Sequence, residues 1–435
     1  HRVQLDGSIV ADRGLVGSDV QVTATGPDLS QMAAFAGLSG APAEDYSIDG
    51  GLRIAGGGYE LRDMAARVGG ISARATGIVT SQPGLLGTKL KGSGNGPDLQ
   101  DLAWLTTLDG APKGAFEISG ALTISDQGYE LDTVAARVGG ITATFDGVIT
   151  DAPGLENTEI TADISGSELS ALEPLFRRPG LPSAPFALAG GLRVSSDGYE
   201  VDAVEIEVDG SRATLSGTVA ATPNLSGTDL EVTVDVPDLE HMGRLAAGLA
   251  DLPTLPAEPL VFSTRLAIDE RGYLLEGLDG NLGRAVFAID GRVGTPPSFI
   301  GTDLTVEAEG PDASLINPTT GLTMPGAPFR INGRCERLEN SIRFHGVESR
   351  VGEHRVSLDG SLGELPELIG TDLEVHASGP DTNLYEALAG LPNLPDEPFT
   401  LDGRFHGTPE RFSTREFRLT FGDSHLEGEF KVDIT

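Results

Sequence analysis

Cys335 is the only cysteine in 435 residues, which rules out an intrachain disulfide and any cysteine-ligated zinc site. Basic residues are also short. Thirty Lys and Arg face 65 Asp and Glu, a formal charge of −35. A chain this acidic is repelled by phosphate backbones, which argues against nucleic acid as a partner. The charge is read as a solvated surface that keeps a long β structure soluble. Aromatics make up only 5% of the chain, beside 59 glycines and 27 prolines, a balance that suits many short strands and frequent turns. No apolar run approaches the roughly 18 residues of a membrane helix, and no signal peptide is evident. The chain opens inside a repeat, so these two absences exclude little.

What is present is a period of about 70 residues. A Gly-Thr-Asp-like triplet leads into an alternating strand at Gly17-Ser18-Asp19, Gly87-Thr88-Lys89, Glu156-Asn157-Thr158, Gly227-Thr228-Asp229, Gly301-Thr302-Asp303 and Gly370-Thr371-Asp372. An acidic helix start follows at Asp28, Asp98, Glu168, Asp238, Asp312 and Asp381, placed to accept from free amides at a helix N-terminus. A second strand opens at Tyr46, Phe116, Phe186, Leu260, Phe329 and Phe399, and a third at Tyr59, Tyr129, Tyr199, Tyr273, Ile342 and Phe412. A fourth strand ends each copy. The copies are bounded at 17–86, 87–155, 156–226, 227–300, 301–369 and 370–435, with 1–16 ending a preceding repeat, and all are expected to form one continuous domain.

The spacings carry more than the motifs do. Second-strand and third-strand openings lie 13 residues apart in all six copies, and 39 residues separate each third-strand opening from the next helix start. Only the helical segment varies in length, so the strands form a lattice while the helix stands outside it, at a rim. Within the third strand, apolar residues fall at offsets 0 and 2, then 5, 7 and 9. That parity change predicts a β-bulge near Arg62-Asp63, Asp132-Thr133, Asp202-Ala203, Glu276-Gly277, His345-Gly346 and Arg415-Glu416. One bulge per repeat curls a sheet. The expected fold is therefore mainly β: an elongated groove made from a curled, bulged antiparallel sheet, with about four strands and one short helix per repeat.

Such a sheet has an apolar face of about 600 Å² per repeat at about 4.8 Å between strands, and a helix of about 11 residues covers roughly a quarter of it. The residues expected to line it are Tyr199, Val201, Val204, Ile206 and Val208; Leu230, Val232, Val234 and Val236; Leu260, Phe262, Leu266 and Ile268; Phe287 and Ile289; Phe417, Leu419 and Phe421; and Leu426 and Phe430. Either the sheet folds over and buries this face, or something apolar occupies it.

Segment 370–405 with 421–430 resembles the repeats of the AsmA-like family, whose relatives include TamB, and the likeness extends over all six copies. It implies a bridge-like lipid-transfer protein of a Gram-negative envelope. Such a protein is periplasmic, is anchored in the inner membrane, carries phospholipid acyl chains along the groove towards the outer membrane, and meets membrane proteins at either end. The alternative is a structural or adhesive surface protein whose apolar face closes into a dry solenoid core.

Nothing in the sequence suggests catalysis, a cofactor or a metal. The seven histidines lack ligand spacing, and Gly92-Ser93-Gly94-Asn95-Gly96 lacks the lysine of a phosphate loop and reads as a strand end. Asp-Gly pairs such as Asp209-Gly210 read as turns. The tyrosines at the hairpins read as cross-strand packing, and Trp104 as helix packing.

Overall fold

The computed structural model describes residues 1–11, 14–35, 40–102, 112–150, 153–249, 252–321, 323–364, 368–382, 384 and 396–433. Trp104 and most of the sixth helical segment lie outside these. The chain divides into two units, His1–Asp209 and Gly210–Thr435.

The first unit holds β1 (Arg2–Ser8), β2 (Asp19–Gly26), β3 (Tyr46–Ala55), β4 (Gly58–Val68), β5 (Ile71–Thr80) and β6 (Lys89–Gly96), then β7 (Phe116–Ser125), β8 (Gly128–Val138), β9 (Ile141–Ile149), β10 (Glu159–Gly166), β11 (Phe186–Val194) and β12 (Gly198–Val208). The second holds β13 (Ser211–Ala220), β14 (Asp229–Val236), β15 (Leu260–Asp269), β16 (Gly272–Leu282), β17 (Ala285–Gly294) and β18 (Asp303–Gly310). It continues with β19 (Phe329–Arg337), β20 (Ser341–Val351), β21 (His354–Gly363), β22 (Asp372–Gly379), β23 (Phe399–Gly407), β24 (Arg411–Phe421) and β25 (Ser424–Asp433).

Within each unit every strand pairs antiparallel with its neighbours in sequence, and the sheet stays open. Among the described residues, β1 bonds only to β2 and β25 only to β24. Among the described residues the helical segments are α1 (Leu29–Phe35), α2 (Glu173–Phe176), α3 (Leu239–Ala246) and α4 (Asn317–Thr320), with 3₁₀ turns at Leu99–Leu102, Leu169–Leu172 and Ala313–Ile316. The acidic starts cap them. Asp28, Asp98 and Asp312 accept from the amides of Ser30, Gln100 and Ser314, and Asp238 accepts from the amide of His241. Glu168 makes no such bond.

Bulges occur at all six expected places. Register shifts at Leu61/Met64, Leu131/Val134, Leu275/Leu278, Phe344/Val347 and Thr414/Phe417 accompany them, with a shift at Ala189/Gly191 opposite the third. The second residue of each pair adopts a left-handed conformation, with φ from 44° at Asp63 to 57° at Gly277. This extra residue turns its amide out of the ladder. The next strand answers with a side chain: Thr76, Asp146, Asp290 and Asp359 accept from the amides of Asp63, Thr133, Gly277 and Gly346 at 2.7–3.1 Å. Glycine usually stands opposite the bulge because the backbones meet there. A Cβ on Gly190 would lie 2.6 Å from the Cα of Val204.

The Gly-Thr-Asp triplet performs a second task that its sequence did not announce. In every copy the Ser or Thr hydroxyl accepts the amide at the end of the preceding fourth strand. The pairs are Ser18 with Val10, Thr88 with Thr80, Thr158 with Thr150, Thr228 with Ala220, Thr302 with Gly294 and Thr371 with Gly363, at 2.9–3.1 Å. This fixes the third triplet as Asn157-Thr158-Glu159, one residue later than the sequence motif placed it. Asn157, at φ 66°, takes the place that glycine holds elsewhere.

Candidate apolar groove

Each strand has two ends that differ in kind. At one end, the helix rim, the helical segments and the tight turns between third and fourth strands meet. At the other, the hairpin rim, the second-to-third-strand hairpins meet the loops that lead into each triplet.

Register places every expected lining residue on the same face of its unit. In the first unit Tyr199, Val201, Ile206 and Val208 lie opposite Val194, Leu192, Leu188 and Phe186, and Val204 follows the bulge on the same side. In the second, Leu230, Val232, Val234 and Val236 oppose Leu266, Thr264, Phe262 and Leu260. Ile268 faces Tyr273, and Phe287 and Ile289 continue the rows against Ala308 and Val306. At the last strands Leu419, Phe421 and Phe417 oppose Leu426, Ser424 and Gly428, and Phe430 opposes Thr414. Phe417 and Phe430 pack edge to face with centroids 5.1 Å apart.

Among the described residues no acidic side chain stands in these rows in the first unit, and of the basic ones only His1 does, at the helix rim beside Gly26 and Tyr46. In the second only His354 and Arg337 do, one at each rim. Sequence reasoning missed Cys335, which sits on this face opposite Leu304 and Phe344; partial burial pushes its thiol pKa up. It also missed the floor of β6, where Gly92 and Gly94 replace the Val, Ala or Ile of other copies. A hollow of about 370 Å³ opens there between Leu90, Phe116, Ile118 and Val134.

The reverse face is charged and laced with cross-strand ion pairs. Bidentate contacts join Arg265 to Asp229 (2.8 and 2.6 Å), Arg334 to Asp303 (2.6 and 2.6 Å) and Arg404 to Asp372 (2.9 and 3.1 Å); Arg62 pairs with Asp19 and Arg193 with Glu159. Hydrogen bonds from the guanidiniums hold Asp229, Asp303 and Asp372 below the usual carboxylate range. A hollow of about 560 Å³ between Thr233 and Asn332 lies over this polar face. Its lining includes Asp279, Glu307, Glu309 and Arg330, whose desolvation an apolar guest would have to bear.

The middle of the apolar face is partly open. Val232, Val234 and Phe262 are half-buried, where a dry core would seal them. The accessible surface agrees: the 45.2 kDa chain exposes 25383 Å², whereas two compact chains of half that mass would together expose about 19,000 Å². Among the described residues, small closed clusters form where helical segments reach the sheet. Leu172 packs with Ile141 and Phe186 in the first unit, and Ala313 and Leu384 with Val351 in the second.

Among the described residues no group of His, Cys, Asp and Glu could hold a metal, and no helix is long and apolar enough to cross a membrane. No protein-family model, curated protein or solved structure matches this chain.

Proposed function

We propose that the apolar face carries phospholipid acyl chains, and that the chain is part of a longer bridge moving phospholipid between the inner and outer membranes of a Gram-negative-type envelope. On this reading the protein is periplasmic, is anchored through a segment outside this sequence, and meets membrane proteins at its ends. One observation carries the proposal: each unit presents repeat after repeat of partly exposed apolar side chains with no charge along the middle of the track. Covering such a surface gains about 25 cal/mol per Å² of apolar area. Neighbouring repeats offer equivalent rows, so a hydrocarbon chain can shift along the strands with little change in free energy.

The test is Val234→Asp combined with Val232→Asp. In an open groove the new carboxylates reach water, so melting should stay nearly unchanged, while an acyl chain passing them would have to desolvate a charge at a cost of several kcal/mol. Photocrosslinking of lipid beyond this point in the full-length protein should then stop. In a closed solenoid core the same change leaves buried, unpaired charges and unfolds the repeat. Severe destabilisation, with no lipid crosslinked to the wild-type face, would refute the transport reading.

A further inference from the structure

The two rims of the groove differ in a way that assigns an orientation to its cargo. Resting on the groove reading above, we infer that the hairpin rim is the mouth, where a phospholipid headgroup stays in water, and that the helix rim is the closed wall against which the acyl chains end. The same strand pairs supply the contrast. Where second strands begin, at the helix rim, Tyr46, Phe116, Phe186 and Phe399 are 3%, 4%, 6% and 8% exposed. Where third strands begin, at the hairpin rim, Tyr59, Tyr129, Tyr199 and Tyr273 are 45%, 44%, 44% and 38% exposed. At the helix rim Phe186 packs against Leu172 of its helical segment, whereas at the hairpin rim the tyrosines stay open although the triplet residues Thr88 and Thr228 there are buried.

The chemistry of the exposed row matches the waist of an amphiphile. A tyrosine ring is apolar along its body and polar at its tip, the property that places tyrosine at membrane–water boundaries. The rings stand on the apolar face, facing residues such as Val194 and Ile268 across the ladder. The Tyr46 hydroxyl at the helix rim lies 3.2 Å from Nδ1 of His1. Those of Tyr59, Tyr129, Tyr199 and Tyr273 have no protein partner among the described residues. They are free to donate to a glycerol ester or phosphate oxygen.

Charge points the same way. In the second unit the one guanidinium on the apolar face, that of Arg337, stands at the hairpin rim, held by Glu364 at 2.5 Å. The other basic group of this face, His354 at the helix rim, is covered, its side chain 11% exposed against 28% for Arg337, so the hairpin rim offers the charged end of the lipid the more open edge. The fifth and sixth copies carry Ile342 and Phe412 in place of tyrosine, so the hydroxyl contact belongs to the first four.

The inference is tested with two phosphatidylethanolamine probes in vesicles of phosphatidylethanolamine and phosphatidylglycerol. One carries a diazirine on the headgroup amine and the other at the end of an acyl chain. Each is loaded onto the unaltered chain, and crosslinked peptides are mapped by mass spectrometry. The headgroup probe should label peptides that contain Tyr129, Tyr199 and the loops at Leu155 and Leu225. The acyl probe should label the floor and the helix rim around Ile141 and Phe186. Headgroup labelling at the helix rim, or equally at both rims, would overturn the orientation and leave the groove standing. Failure of both probes to label the apolar face would remove the groove reading itself. Changing Tyr59, Tyr129 and Tyr199 to Phe keeps the rings, so headgroup labelling should fall several-fold with acyl labelling unchanged; no fall would assign the hydroxyls no part.

Discussion

Replacing Thr228 by Val removes one oxygen and almost no volume, and the structure says where the loss will be felt. Thr228 is 3% exposed and Ala220 is 5% exposed. The Thr228 hydroxyl accepts the Ala220 amide at 3.0 Å, while the Thr228 carbonyl accepts from Ile268 and its amide donates to Leu225. Valine keeps both backbone bonds but leaves the Ala220 amide buried without an acceptor, a loss of about 1–3 kcal/mol. A chain of near-identical repeats need not unfold in one step, so the reading belongs at the site rather than in a global melt. Hydrogen exchange at Ala220 should accelerate by about 5- to 150-fold, since each 1.4 kcal/mol is tenfold. Thr222→Val is the control, because Thr222 is exposed and its hydroxyl donates only to the Ser226 carbonyl. Unchanged exchange at Ala220 in Thr228→Val, or the same acceleration in the control, would show that the recurring hydroxyl does not hold the strand end.

Two further perturbations follow from the same lattice. Gly190→Ala should lower the melting temperature by several degrees, because its Cβ would meet the Val204 Cα at 2.6 Å with φ at 149°, whereas Gly428→Ala has open space and should change little. The carboxylates of Asp229, Asp303 and Asp372 are held low by Arg265, Arg334 and Arg404, so the stability they lend is complete above the ordinary carboxylate value of about 4 and is lost as pH falls through their lowered values. Denaturant midpoints should therefore drop on acidification below pH 4, less steeply in Asp303→Asn; an unchanged slope would mean that the pair is spent on water.

Side-chain alternation is a local property of the backbone, so much of this protein is readable from the chain alone. The period-2 rows of Leu230–Val236 and Tyr199–Val201 fix which side chains share a face, because Cβ atoms alternate along any strand. The shift of parity at Asp202-Ala203 fixes the bulge for the same reason. The repeat spacing fixes the strand lattice, and Asp238 before Leu239 fixes a helix start. Other features depend on what approaches from outside the local segment. Nothing in Gly227-Thr228-Asp229 names the Ala220 amide as its partner, and nothing in Asn157 shows that it replaces a glycine. The Val-Leu-Ile pattern is the same whether a face is sealed or open; the partial exposure of Val232, Val234 and Phe262 distinguishes the two. The difference between the rims is likewise tertiary. Phe186 and Tyr199 are equally plausible core residues in the sequence, and it is the helical segment reaching over one strand end that buries the first and leaves the second in water.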